Sequence, residues 1–187
     1  MMDRMDGPAE QLIDEILVMD CQTGNVKALE KLVSRWQKRL WGYAYRLTGS
    51  TEGAWDITQD SWLGIIKGLR RLHDPARFRS WAYRIVTNKA SDWIRKKKSA
   101  KHIPIEKIQD RQVQEQEEAG LEELMEKLDM RKRAVLSLYH LEQFSIREIS
   151  IALNIPKGTV KSRLHAARRE LKELWQQHAE LTKGDSK

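Results

Sequence analysis

Ser145-Ile-Arg-Glu-Ile-Ser-Ile-Ala-Leu-Asn-Ile-Pro-Lys-Gly-Thr-Val-Lys-Ser-Arg-Leu-His-Ala-Ala-Arg-Arg169 spells two short helices joined by a tight turn, the second one basic. Ser145 and Glu148 stand three residues apart ahead of an apolar run. This is the capping-box spacing, in which hydroxyl and carboxylate each accept from a backbone N–H left over at a helix start. Ile146, Ile149 and Leu153 follow at helical spacing, and Asn154 with Pro156 ends the helix, because proline has no N–H for the next helical hydrogen bond. Beyond the turn, Val160, Leu164, Ala167, Leu171 and Leu174 step by four and three and form one apolar stripe. Lys161, Ser162, His165, Arg168 and Arg169 fall outside that stripe, with groups suited to phosphates and to base edges in a major groove. Residues 157–172 hold six Lys or Arg against one Glu. A solvated amphipathic helix accounts for the stripe alone; cap, breaker and basic face together predict a helix-turn-helix that reads duplex DNA.

Upstream, Val26, Leu29, Val33, Trp36, Leu40, Tyr43 and Leu47 mark a helix that stops at Thr48-Gly49-Ser50, where glycine suits a helix C-terminus. A second helix is expected over residues 51–71, broken by Asp74-Pro75, and a third runs from near Phe78 into Arg95-Lys-Lys-Lys98. No segment alternates as a strand does. Residues 102–130 carry nine acidic residues against three basic, a composition expected of a flexible linker that passes into the first helix of a second domain. Ala134, Val135, Leu138 and Leu141 then mark a helix beneath the helix-turn-helix. The expected fold is all-α: two small helical domains, 10–100 and 121–180, joined by an acidic flexible linker, 101–120, with the helix-turn-helix in the second.

Residues 77–101 hold nine Lys or Arg and one Asp, interleaved with Phe78, Trp81, Tyr83 and Trp93. Cations that track phosphates beside rings that stack on unpaired bases suit single-stranded nucleic acid. Arg84, Asn88, Asp92 and Arg95 share one helical face. An aromatic stripe on a helix also serves packing, and Phe78 and Ile85 are assigned to the core. Asp56, Gln59 and Asp60 form a separate acidic and polar patch that, taken alone, reads as a solvated face.

Thr48-Gly-Ser50, Asp56-Ile-Thr-Gln-Asp60 and Phe78–Arg95, followed by Leu141–Ile149 and Gly158–His165, resemble in order the two domains of extracytoplasmic-function (ECF) sigma factors of the sigma-70 family. The resemblance implies a sigma factor that binds core RNA polymerase and directs promoter-specific initiation. It places Asp56, Gln59 and Asp60 on the polymerase clamp; Trp62 and Ile66 are the expected apolar anchors near that patch, because aromatic and apolar groups are favoured at interface centres. It assigns the melted -10 strand to Arg79, Trp81, Tyr83, Arg84, Asn88, Lys89 and Arg95. The -35 duplex falls to Lys157, Thr159, Lys161, Ser162, Arg163, His165 and Arg168. An anti-sigma factor is a further partner the resemblance suggests. Trp55 stands where relatives usually carry an acidic residue, and Ala166 where they commonly carry a basic one. The alternative reading is a conventional helix-turn-helix regulator that does not replace sigma.

Composition narrows the remaining classes. A net charge of +7 over 187 residues suits a polyanionic partner. Cys21 is the single cysteine and cannot form an internal disulfide, and His73, His102, His140, His165 and His178 are scattered, so neither a disulfide framework nor a metal site is expected. The N-terminus lacks the basic-then-apolar pattern of a secretion signal, and no apolar run approaches the ~18 residues of a membrane span. A cytoplasmic protein without membrane insertion is expected. No phosphate loop, dinucleotide glycine pattern or nucleophile elbow is present, so neither an enzyme nor a cofactor is expected.

Overall fold

A computed structural model describes residues 7–100 and 116–184, and among them there is no strand. Four helices build the N-terminal domain: α1 (Pro8–Gln22), α2 (Val26–Thr48), α3 (Thr51–Leu69) and α4 (Phe78–Ala100), the last entered through a 3-10 turn, Pro75–Arg77. The C-terminal domain follows as α5 (Gln116–Glu126), α6 (Met130–Leu136), a π-helical turn (Ser137–Leu141), α7 (Ile146–Leu153) and α8 (Lys157–Gly184). Helix α5 begins inside the stretch expected as linker; residues 101–115 of that stretch lie outside the described residues. Helix α1 is an element the sequence reading did not resolve.

Local signals set the helix ends. Asn25 and Ser50 cap α2 and α3 by accepting from the backbone N–H of Ala28 and Gly53. Gly49 ends α2 in a left-handed conformation at φ 62°, which glycine adopts without steric cost. The N-terminal core is built around Trp36, whose ring meets Phe78 and Tyr83 edge-on with centroids 5.3 and 6.2 Å apart. Both of those rings come from α4, so burying them fixes the roll of α4 against α2.

The α3–α4 contact depends on missing side chains. Gly53 and Gly68 lie against the rings of Trp93 and Trp81; a Cβ added at each would stand 2.5 and 2.7 Å from a ring carbon. Gly53→Ala therefore overpacks this seam, and we expect a loss of ~1–3 kcal/mol in stability. An unchanged midpoint in urea unfolding would show that Trp93 yields freely.

In the C-terminal domain Val135, Leu138, Ile149, Ala152, Val160, Leu164 and Ala167 are all buried, as expected for α8 seated on α6 and α7. The two domains also pack on one another, α7 against α4 and α6 against α2. Arg133 of α6, 8 % exposed, donates to the main-chain carbonyl of Arg46 at the end of α2 over 3.1 Å, and to those of Glu126 and Leu128. Burial among these carbonyls lowers its pKa from the usual guanidinium value.

Candidate nucleic-acid interface

The helix-turn-helix forms as its sequence predicts. Ser145 accepts from the backbone N–H of Glu148 and the Glu148 carboxylate accepts from that of Ser145, at 3.2 and 2.8 Å. Asn154 takes the left-handed conformation at φ 52° that ends α7. Ser150 donates its hydroxyl to the Ile155 carbonyl at 2.7 Å, which ties the turn back onto α7.

Burying Val160, Leu164 and Ala167 leaves the opposite side of α8 in solvent. Lys157, Lys161, Ser162, His165 and Arg168 are exposed there, while Thr159 and Arg163 are half-buried beside them. Side chains on this face differ in freedom. Ser162 donates to the Thr159 carbonyl at 3.1 Å. Arg168 donates through Nε to His140 Nε2 at 3.2 Å, with its guanidinium 5.0 Å from the centre of the Tyr139 ring. Partial burial and then the adjacent Arg168 charge lower the His140 pKa, which keeps the imidazole neutral and able to accept.

The residues expected on α4 divide into four groups. Arg84, Asn88 and Arg95 are exposed, and their spacing puts them along one side of the helix. Lys89 pairs with Asp60 at 3.3 Å, bridging α4 to the acidic patch of α3. Trp81 is half-buried against Gly68 and Phe78, and Tyr83 is fully buried. The assignment of Tyr83 to DNA is thereby corrected: its ring packs among Trp36, Tyr43 and Phe144, and its hydroxyl donates to the Glu142 carboxylate. Burial first, then the Glu142 charge, pushes its pKa well above the usual phenol value. Arg79 is engaged as well, donating to the Glu142 main-chain carbonyl with its guanidinium 4.3 Å from the Phe144 ring centre.

On α3, Asp56, Gln59 and Asp60 are exposed as expected. Trp62 is not: at 8 % exposure it belongs to the core beside Thr58, Ser61 and Ile65, which corrects its assignment as a surface anchor. The exposed apolar groups of this helix are Trp55, Leu63 and Ile66. Leu63 was legible from its three-residue step beyond Asp60, which puts it on the same face. Among the described residues no cluster of His, Cys, Asp or Glu could hold a metal ion, and no helix is long and apolar enough to cross a membrane.

Comparison with known proteins assigns both halves of this arrangement. Residues 32–100 match the family model Sigma-70 region 2, and residues 119–171 match Sigma-70, region 4. The chain belongs to the ECF group of the sigma-70 family of RNA polymerase sigma factors.

It is 28% identical over 174 residues to the ECF RNA polymerase sigma factor SigE of Mycolicibacterium smegmatis, covering 86% of this chain and 67% of the relative. It is also 28% identical over 174 residues to SigW of Bacillus subtilis, covering 83% and 93%. Among solved structures, CnrH in complex with the cytosolic domain of CnrY is similar at a TM-score of 0.69 and 27% identity, covering 88% of this chain and 97% of that one. The sigma factor RpoE of Bartonella quintana, in complex with the anti-sigma factor NepR, has the same fold at a TM-score of 0.69 and 20% identity.

Proposed function

We propose that this sigma factor docks on core RNA polymerase through the α3 face of Asp56, Gln59 and Asp60, completed by the exposed apolar groups Leu63 and Ile66. It reads the -35 duplex through the outer face of α8 and holds the opened -10 strand along the Arg84, Asn88 and Arg95 side of α4. The observation that carries this reading is the pair of exposed basic helical faces, one on each of two domains that match sigma regions 2 and 4 in order. A regulator that only binds duplex DNA has a use for α8 and none for α4.

The division of labour follows from the chemistry present. Lys157, Lys161 and Arg168 supply charge for phosphates, while Thr159, Ser162, Arg163 and His165 supply the directional groups that distinguish bases. On α4, Asn88 offers a donor and an acceptor to an unpaired base between the cations Arg84 and Arg95, and Lys89 joins them when released from Asp60. Two modest interfaces on one chain reinforce one another by effective concentration. Phosphodiester chemistry belongs to the polymerase, so the chain itself is not an enzyme and acts in the cytoplasm, with an anti-sigma protein as a further partner.

Mixing the chain with purified bacterial core polymerase tests the docking reading. A stoichiometric complex that survives gel filtration is expected, and separate elution of the two would reject it. For the -35 face, Arg163→Ala is expected to weaken binding of a -35 duplex by the full chain. If Arg163 meets phosphate, the slope of log affinity against log salt falls by about one. If it meets a base edge, the loss is confined to that base, about 1–3 kcal/mol. Unchanged affinity on every sequence removes it from the site.

A further inference from the structure

The outer face of α8 carries a cation that is held in place without being neutralised. Arg168 and Arg169 are neighbours there, and both are exposed. Arg169 pairs with Glu173 one turn on, at 3.8 Å, and Glu170 pairs with Lys132 of α6. Among the described residues no carboxylate pairs with Arg168. Its guanidinium meets two neutral side chains instead. Nε and Nη2 both donate to His140 Nε2, at 3.2 and 3.1 Å, and the central carbon lies 5.0 Å from the centre of the Tyr139 ring. The two rings brace one another edge-on, with centroids 4.9 Å apart.

Tyr139 and His140 both come from the π-helical turn that follows α6. The Glu142 N–H closes the turn on the Ser137 carbonyl at 3.0 Å, and Gln143 Nε2 donates to the His140 carbonyl at 2.6 Å. Such turns occur frequently at functional sites. Ser137 and Leu138 are fully buried and anchor the turn from below. Because Arg168 donates both bonds, the imidazole must be neutral with its proton on Nδ1. Burial, together with the adjacent Arg168 charge, lowers its pKa and so favours that form.

We propose that Tyr139 and His140 are positioning residues, which hold the Arg168 guanidinium ready for a phosphate of the -35 duplex. This rests on the assignment of the outer face of α8 to that duplex. A recognition helix reaches base edges with its N-terminal residues. Arg168 stands about three turns beyond the start of α8, where the helix has left the base edges for the sugar-phosphate backbone.

Of the five N–H groups of an arginine, His140 engages two along one edge. The end of the guanidinium, with one N–H from each Nη nitrogen, stays open, and this is the fork that grips two phosphate oxygens. A free arginine gives up its rotamer freedom on binding, whereas here the ordering precedes DNA. A carboxylate in place of His140 would order the guanidinium equally well and cancel its charge. An imidazole and a phenol ring order it and leave the charge for DNA.

Affinity of the full chain for one duplex, selected by the chain from random sequence and measured over a series of salt concentrations, tests the positioning. Arg168→Ala is expected to weaken binding and to reduce the slope of log affinity against log salt by about one, as for a lost phosphate contact. His140→Ala is expected to weaken binding about 2- to 10-fold, the cost of ordering one long side chain, with the slope unchanged because no charge is lost. His140→Gln, which keeps an acceptor, and Tyr139→Phe, which keeps the ring, are expected to bind as wild type. Joining His140→Ala to Arg168→Ala is expected to cost no more than Arg168→Ala alone, an outcome that a general structural loss would not give. His140 is exposed, so helical circular dichroism should be the same throughout. Unchanged affinity in His140→Ala, losses that add in the double variant, or His140→Gln as weak as His140→Ala would each overturn the positioning alone. Arg168→Ala with the affinity and slope of wild type would take Arg168 off the duplex and overturn both the positioning and the part of the α8 reading on which it rests.

Discussion

Asp60→Arg is expected to weaken association with core polymerase by at least ~30-fold, the lower end of what removing a charge from a complementary interface costs. The residue is suited to the test because its folded-state role is small. Its carboxylate is largely in solvent, with 61% of the side chain exposed, and Lys89, with which it pairs, is itself 40% exposed. A pair so placed contributes little to folding. Helical content and urea midpoint should therefore match the wild type, and DNA binding by α8 should persist. Lys89→Ala is the companion variant: it removes the same ion pair but leaves the Asp60 carboxylate free for the clamp. Equal polymerase affinity for Asp60→Arg and wild type would move the docking face off α3.

Trp36→Ala carries the largest expected effect on stability. The ring is 1 % exposed and holds α4 on α2 through Phe78 and Tyr83, with the Arg39 guanidinium 5.1 Å from its centre. Truncating a buried aromatic of this size costs about 3–5 kcal/mol, a large share of the 5–15 kcal/mol that a whole domain has. The variant is expected to lose the N-terminal domain's cooperative unfolding transition or to shift it far down in urea. Because α4 carries the face assigned to the -10 strand, polymerase-dependent promoter opening should fail with it. A transition within about 0.5 kcal/mol of wild type, the size of an ordinary surface change, would show that Trp36 does not organise this core.

The sequence was most legible where structure is set by neighbours in the chain. Ser145, Glu148, Asn154 and Pro156 fix the helix-turn-helix through contacts three to five residues apart, and Val160, Leu164 and Ala167 show which side of α8 faces inward. Asn25, Gly49 and Ser50 act in the same way at the ends of α2 and α3.

Aromatic residues were harder to place. Trp62 and Tyr83 occupy helices that are apolar on more than one side, and periodicity does not say which side is covered. On α3 the inward face is partly written in glycine, since Gly53 and Gly68 receive Trp93 and Trp81. A scale of hydrophobicity passes over such positions, while Leu63 and Ile66 remain outside. Glu142 was not legible at all. Its partners Arg39, Arg46 and Tyr83 lie some sixty to a hundred residues away, and nothing local distinguishes a buried loop glutamate from a solvated one.

Promoter-dependent transcription tests the central claim most directly. Purified bacterial core polymerase is given random-sequence templates with and without the chain, and the transcripts that start are sequenced. Initiation that requires the chain, downstream of two shared sequence motifs about two helical turns apart, is the predicted result. No chain-dependent initiation, from a core enzyme that a known sigma factor activates and with the chain still bound to duplex DNA, would contradict it.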